Sequence, residues 1–257
     1  MSRPEIIGIV GAGGDLGSRM TLQTCSAYEQ VYAYDPSPMS GLIEVNGIDP
    51  EIRQSGVSVT PRFQTSVSAV LESCSVIHWC APLSGLENVE NLPPEAMLVL
   101  HDSVMNNSMS AREIVSTKPG VLGKITVAHC LMNPERIIVV ASDVVDADEL
   151  SAHIEKLGLN PYTMTAQEHD FMMAHTQAPL ALLSLVLRER LHEYAAKGLL
   201  TKSANELMGA LDARASQWTP ETIHAILSNP ELTKLISELG AALLENPEQL
   251  EGGAIDI

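Results

Sequence analysis

Ile6-Ile7-Gly8-Ile9-Val10-Gly11-Ala12-Gly13-Gly14-Asp15-Leu16-Gly17 opens the chain, and Val31-Tyr32-Ala33-Tyr34-Asp35 follows it one helix later. The apolar run Ile6 to Val10 predicts a strand buried on both faces. It breaks into four glycines within seven residues. Ser18 to Tyr28 has the composition of a helix, and Val31 to Tyr34 reads as a second strand that ends on an acid. Strand, glycine turn, helix, strand and terminal carboxylate, in that order, make the dinucleotide-binding βαβ unit. At such a turn the backbone N–H groups of Gly11, Ala12, Gly13 and Gly14 and the start of the following helix can approach a pyrophosphate. Asp15 and Leu16 carry the turn on to Gly17. Asp35 is placed to accept hydrogen bonds from a ribose and would repel a 2′-phosphate, which predicts NAD rather than NADP. The spacing Gly13 to Gly17 is one residue longer than G-x-G-x-x-G. A glycine turn without a ligand is the plain alternative, and the flanking strands with Asp35 favour the nucleotide site.

A chain of 257 residues has room for two modest domains. Its composition is 45% apolar but only 4% aromatic, so aliphatic side chains and methionine must fill the core. No apolar run reaches the roughly 18 residues of a membrane span. Met1-Ser2-Arg3-Pro4 leads straight into the first strand without the pattern of a signal peptide, so a cytoplasmic protein is expected. A net charge of −17 argues against nucleic acid or an anionic membrane as partner. Cys25, Cys74, Cys80 and Cys130 form no C-x-x-C pair and no zinc spacing, which predicts reduced thiols and no metal site.

Beyond Asp35, Pro36, Pro38, Gly41 and Gly47 mark a loop-rich passage. Strands are expected at 57–60, 75–80, 97–100, 124–129, 136–141 and, at an edge, 161–164. Short helices are expected at 66–72 and 148–157. This alternation predicts a Rossmann-like, doubly wound, mostly parallel sheet over residues 1–164. From Thr165 the pattern is helical to the end, giving a second domain over residues 165–257. Thr165-Ala166-Gln167-Glu168 and Ser203-Ala204-Asn205-Glu206 read as capping boxes. Pro179 should kink the first long helix, and Gly198 should end it. Thr219-Pro220-Glu221, Asn229-Pro230-Glu231 and Asn246-Pro247-Glu248 each read as cap, first-turn proline and first-turn acid. A cleft between sheet and helices and a homodimer through the helical half are expected, since few helices must otherwise cover their own apolar stripes.

Two strand-end residues carry candidate chemistry. Ser103 follows the strand 97–101 and His129 closes the strand 124–129, both at the carboxyl edge where such sheets bind ligands. An imidazole there can take the proton of a hydroxyl whose carbon gives up hydride, and a serine can orient that hydroxyl. Each also has a plain reading, Ser103 as a helix cap and His129 as an ordinary strand-end residue. His169, His175, His192 and His224 fall on helices and read as packed or solvated side chains.

The motifs together resemble the prephenate/arogenate dehydrogenase family of tyrosine biosynthesis. Val10 to Gly17 is similar to the cofactor loop of its enteric-type members, extra residue included. Cys80-Ala81-Pro82 resembles the family's strand-ending segment beside the cofactor. Asp102-Ser103-Val104 matches the active-site serine, His129 the catalytic histidine, and Glu135 an acid often found six residues on. Glu168-His169-Asp170, Met173-Ala174 and Gln177-Ala178 resemble the signature that opens the helical domain. The resemblance implies an NAD-dependent oxidative decarboxylation in which His129 takes the hydroxyl proton, Ser103 holds the geometry, and Glu135, Gln177 and Arg214 contact the substrate. The chain departs from the family at Cys130-Leu131-Met132-Asn133, Met105, Ala181 and Glu206; the last stands where the family has the arginine that grips a substrate carboxylate. Those departures leave prephenate, arogenate and an amino analogue of prephenate open as substrates. They also leave open a catalytically inactive nucleotide-binding regulatory protein.

Overall fold

The structure, a computed structural model, describes residues 5–36, 61–131, 136–215 and 220–245. The expected strand at 57–60, Gly41, Gly47, Glu135, Thr219 and Asn246-Pro247-Glu248 lie outside them. The chain divides into two compact units, Met1–Gln167 and Glu168–Ile257.

The first unit is an eight-stranded sheet. Its strands are β1 (Ile7–Val10), β2 (Val31–Tyr34), β3 (Arg62–Phe63), β4 (Val76–Trp79), β5 (Met97–His101), β6 (Lys124–Cys130), β7 (Ile137–Ala141) and β8 (Asn160–Met164). They lie in the order β3-β2-β1-β4-β5-β6-β7-β8. Every neighbouring pair is parallel except β6 and β7, which run antiparallel. The chain thus winds outward from β1 to β3, returns to β4 beside β1, and winds the other way. The crevice of such a sheet opens where the winding reverses, between β1 and β4.

Helices cover both faces. They are α1 (Asp15–Ala27), α2 (Val67–Ser73), α3 (Met105–Ser116) and α4 (Ala147–Lys156), with a 3₁₀ segment at Leu83–Asn88. Alternate strand residues feed two cores, as the two-residue period of a strand requires. Ile7, Ile9 and Val99 pack with Met20 and Cys25 of α1 and with Leu150 and Ile154 of α4. Val10, Leu98 and Leu100 pack on the other side with Val70 and Leu71 of α2 and Val115 of α3. Ser66 caps α2, accepting from the Ala69 backbone N–H at 3.2 Å.

Helix α1 starts at Asp15 rather than near Ser18, because Gly14 already sits in the cap position with extended backbone. Helix α3 was not legible in Asn106, Asn107, Ser108 and Ser110, which are weak helix formers. Burial of Met105 and Val115 holds it on the sheet.

Helix α5 (Ala166–Ala196) starts in the last two residues of the first unit and runs into the second, which also contains α6 (Lys202–Ala215), α7 (Pro220–Leu227) and α8 (Pro230–Glu245). Ala174, Ala178 and Ala181 line one face of α5 and meet Ile226 and Leu232. Pro179 is carried within α5, which runs on to Ala196. Gly198 then adopts φ +70°, and Leu199 donates back to the Tyr194 carbonyl at 3.0 Å, a helix stop that needs a residue comfortable at positive φ. The capping box expected at Ser203 is displaced. α6 begins at Lys202, and Thr201 is the cap, its hydroxyl accepting from the Ala204 backbone at 3.2 Å. Glu206 instead pairs loosely with Lys202 one turn earlier, at 3.9 Å in solvent. Asn229 caps α8 through Glu231 N at 3.0 Å and donates its amide to the Asp170 carbonyl at 2.9 Å, fastening α8 to α5.

Candidate active site

The glycine turn is built by contacts that exclude side chains. Gly11 and Ala12 both donate to the Tyr34 carbonyl, at 2.9 and 3.1 Å, which draws the turn over the end of β2. Gly11 adopts φ +84°, and a Cβ there would lie 2.7 Å from the Ala81 nitrogen. Only glycine allows β1 and β4 to come this close at the crevice. A Cβ on Gly17 would meet the Gly11 carbonyl oxygen at 1.9 Å, so α1 can pack under the turn only with glycine at its third position. Gly14, at the α1 cap, makes no side-chain hydrogen bond to the helix start. The first N–H groups of α1 thus meet no capping side chain from Gly14, in the arrangement that favours an anion. Asp15 stands at the first helical position and pairs with Arg19 at 3.2 Å, both well exposed.

Asp35 reaches back into the turn. Its Oδ2 accepts from Gly13 N at 2.8 Å, and a Cβ on Gly13 would crowd that oxygen at 2.9 Å. The carboxylate is therefore held beside the glycines, at the end of β2. The residues fit a dinucleotide: a turn of three glycines and one alanine, a helix start capped only by glycine, and an acceptor at the end of β2.

Strand register defines what else shares this edge. Val10 pairs with Trp79, Trp79 with Leu100 and His101 with Ala128. The carboxyl ends of β1, β4, β5 and β6 are thus aligned. Cys80-Ala81-Pro82 follows β4, with Cys80 N donating to the Val10 carbonyl at 2.8 Å. Asp102-Ser103 follows β5. His129 lies next to last in β6, buried and paired in register with Val139 of β7. Ser103 is not the cap of α3: Val104 holds that position, and its N–H is turned toward Asp102 Oδ1 at 3.4 Å. The glycine turn, Asp35, Cys80 to Pro82, Ser103 and His129 are therefore brought to one edge of the first unit. Gln177 lies half-buried on α5 and Arg214 lies on α6, both in the second unit.

Burial pushes the Cys74 thiol up to about 12, and burial with Cys130 nearby raises that of Cys80 further. Neither is a thiolate near neutral pH. Among the described residues no group of three or more His, Cys, Asp or Glu is arranged to hold a metal, and no helix is long and apolar enough to cross a membrane.

What sequence reasoning missed is a line of buried ionisable groups behind this edge. Tyr28 Oη lies 2.9 Å from His153 Nδ1, His153 Nε2 lies 3.0 Å from His78 Nε2, and His78 Nδ1 lies 2.9 Å from His101 Nε2. They come from the end of α1, from α4, from β4 and from β5. The only signal was a histidine inside each of two apolar strands, His78 and His101. His169, read as a packed residue, is fully buried with Nδ1 2.8 Å from Asp170 Oδ1. His192 is half-exposed and meets Asp212 at 2.9 Å alongside Arg188.

No protein-family model matches the chain, and no curated protein matches it in sequence. Solved structures match across nearly its whole length. Prephenate dehydrogenase from A. aeolicus, in complex with hydroxyphenyl propionate and NAD+, superposes with a TM-score of 0.66 at 16% identity, covering 97% of this chain and 91% of that one. A putative prephenate dehydrogenase from Corynebacterium glutamicum gives 0.70 at 16% identity over 98% and 84% of the two chains. Synechocystis arogenate dehydrogenase gives 0.64 at 16% identity over 95% and 91%. The chain has the fold of the prephenate and arogenate dehydrogenases, a Rossmann-like sheet followed by helices.

Proposed function

We propose that the protein is an NAD-dependent dehydrogenase that carries out the oxidative decarboxylation of a cyclohexadienyl acid of the prephenate or arogenate type. The observation that carries this reading is the alignment of the glycine turn, the Asp35 carboxylate on Gly13 N, Ser103 and His129 along one sheet edge. The fold shared with those dehydrogenases supports it. NAD+, when bound, accepts the hydride from the ring carbon that bears the hydroxyl. The turn from Gly11 to Gly17 holds the pyrophosphate and Asp35 the ribose. Ser103 orients the hydroxyl, and His129 takes its proton. Loss of carbon dioxide from the opposite ring carbon leaves an aromatic product, which makes the step irreversible. The chain's own contribution is alignment and the handling of one proton.

NADH formation with prephenate, arogenate and 4-amino-4-deoxyprephenate tests this. We expect turnover of at least one of them; NAD+ left unreduced by all three would end the proposal. Glu206, which replaces the family's carboxylate-gripping arginine in the resemblance, is solvent-exposed beside Lys202, and the loss of that cation is what favours a substrate bearing an amine. Faster turnover of arogenate or the amino compound than of prephenate is the expected order. A nucleotide-binding regulatory protein is what remains if NAD binds and nothing turns over.

Asp35 sets the cofactor preference in this reading. Fluorescence titration is expected to show NAD binding roughly tenfold or more tighter than NADP, since a carboxylate facing a 2′-phosphate loses a hydrogen bond and gains a repulsion. Asp35→Ser should narrow the gap. Equal affinities in the wild type would remove Asp35 from the ribose.

We also propose a homodimer through the helical half. Phe171, Val186, Tyr194 and Leu207 on α5 and α6 and Ile236 on α8 all expose large apolar side chains, and the core they surround is small. Light scattering at micromolar concentration should return about twice the 27.6 kDa chain mass. A monomer that turns over substrate would exclude it.

A further inference from the structure

Every substrate of the class proposed above is an anion, and the sheet edge where β4, β5 and β6 end is poor in cations. The connections that leave β4 and β5, residues 80–96 and 102–104, contain no lysine or arginine, and neither does the glycine turn after β1. The connection that leaves β6, residues 131–136, contains a single arginine, Arg136. Because β7 runs antiparallel to β6, it begins at the edge where β6 ends, and Arg136 stands immediately before it. The Arg136 carbonyl accepts from Asn160 N at 3.0 Å, and Leu131 N donates to the Ile137 carbonyl at 3.1 Å, so the arginine backbone is fixed between β6 and β8. Val139 pairs with His129, which places Arg136 three residues, or about 10 Å of strand, past the histidine on the outer side of the edge. Its side chain is half-buried. Its backbone has φ +53°, the one positive value outside glycine among the described residues. Glycine would take that conformation without strain, and a long side chain held there is the kind of outlier that marks a functional position.

We propose that Arg136 is the specificity-determining cation of the site and binds the side-chain carboxylate of the substrate. This rests on the dehydrogenase reading above, with the hydroxyl at His129. A cyclohexadienyl acid carries its hydroxyl and its side chain on opposite ring carbons. With the hydroxyl at His129, the side-chain carboxylate lies at the far end of the molecule, on the outer side of the edge. A guanidinium meets a carboxylate there with two parallel N–H groups, a geometry that fixes direction as well as charge. The α6 position that would otherwise supply a cation holds Glu206, in solvent beside Lys202. The carboxylate in question is the one the product keeps, so gripping it does not oppose departure of carbon dioxide from the ring. Prephenate, arogenate and the amino analogue all carry it. Arg136 therefore selects the class and aligns the ring, and it moves no proton.

Calorimetric binding of 3-(4-hydroxyphenyl)propionate and of 4-ethylphenol, each to the protein loaded with NAD+, reads this contact without turnover. The two probes share the phenol ring and differ in the carboxylate. Wild type should bind the acid more tightly. Arg136→Leu should weaken the acid roughly 10- to 100-fold, the scale of a lost charge-assisted pair, and leave the phenol and NAD+ as they were. Arg136→Lys should recover part of the loss. With a turned-over substrate the same factor should appear in KM rather than kcat. Arg136→Gly separates binding from scaffolding, because it removes the guanidinium and relieves the positive φ at once. It should lose the acid as Arg136→Leu does while melting no earlier than wild type. Early melting with normal acid affinity would make Arg136 a structural residue and overturn the proposal. So would an acid preference that is absent from wild type, that survives Arg136→Leu, or that is lost in Arg214→Leu instead. If the panel of ring acids is not turned over but the acid preference depends on Arg136, the dehydrogenase reading falls and the carboxylate site stands.

Discussion

His129→Asn is expected to lower kcat by roughly 10²–10⁴-fold, the range for loss of a general base. Asparagine keeps the bulk of the side chain and a hydrogen bond but cannot hold a proton. NAD+ affinity should hardly change, because the glycine turn and Asp35 belong to β1, α1 and β2. Wild-type activity should fall on the acid side, where a protonated imidazole can no longer accept. His129 is buried within β6, so a cost in stability is the competing explanation. Melting curves separate the two. Unchanged melting with collapsed kcat assigns the loss to chemistry, whereas early melting with normal turnover in the cold would return His129 to the scaffold. Ser103→Ala should give a smaller loss of the same kind.

The second large effect is acid destabilisation, and it does not depend on the reaction. Burial, then the neighbouring His153, lowers His101 to about 4; burial also lowers His153 to about 4, with Lys156 adding to it and Glu5 opposing. Burial and the two flanking rings hold His78 well below the ordinary histidine range. In the unfolded chain each takes up a proton near 6.5, while the folded protein refuses it until about 4. Unfolding therefore binds protons throughout that window, and stability falls as pH drops from about 6.5 toward 4. At 1.36 kcal/mol per unit, His101 and His153 each contribute on the order of 3 kcal/mol to the loss, large against a domain stability of about 5–15 kcal/mol. Urea midpoints measured from pH 7 to about 5.5 should already decline, before most carboxylates titrate. A flat profile over that range would mean the three rings are not buried as neutral groups.

The first unit was largely legible because its signals are local. β1, the glycine turn and Asp35 announce themselves through an apolar run, a turn that tolerates no side chain and a charge at a strand end. Other features depend on relations the chain does not write locally. The direction of β7 against β6 follows from how the sheet closes, and Ile137 to Ala141 would serve equally in a parallel strand. Ser203 and Thr201 are both good caps, and only the hydrogen bond from Ala204 to the Thr201 hydroxyl shows which is used. Tyr28, His78, His101 and His153 are scattered along the sequence and become one object only when α1, α4, β4 and β5 meet. In the candidate site Ser103 and His129 could be placed at the carboxyl edge from their positions at strand ends, whereas the register that aligns those ends comes from the strand pairing. Glu135 lies outside the described residues.

The place of β1 between β2 and β4 also bears on the order of folding. β2 follows β1 after one helix, and β6, β7, α4 and β8 join through near neighbours in the chain. β4 reaches β1 only after the whole passage through β3 and α2 has been threaded past it. Closure of so long a loop is entropically costly, so that pairing is expected in the late part of assembly. The close approach of Gly11 to Ala81 exists only once it is made. A dinucleotide seated there would find nothing to grip in the half-formed sheet; it would act on the rate of unfolding and leave the search for the native pairing as it is.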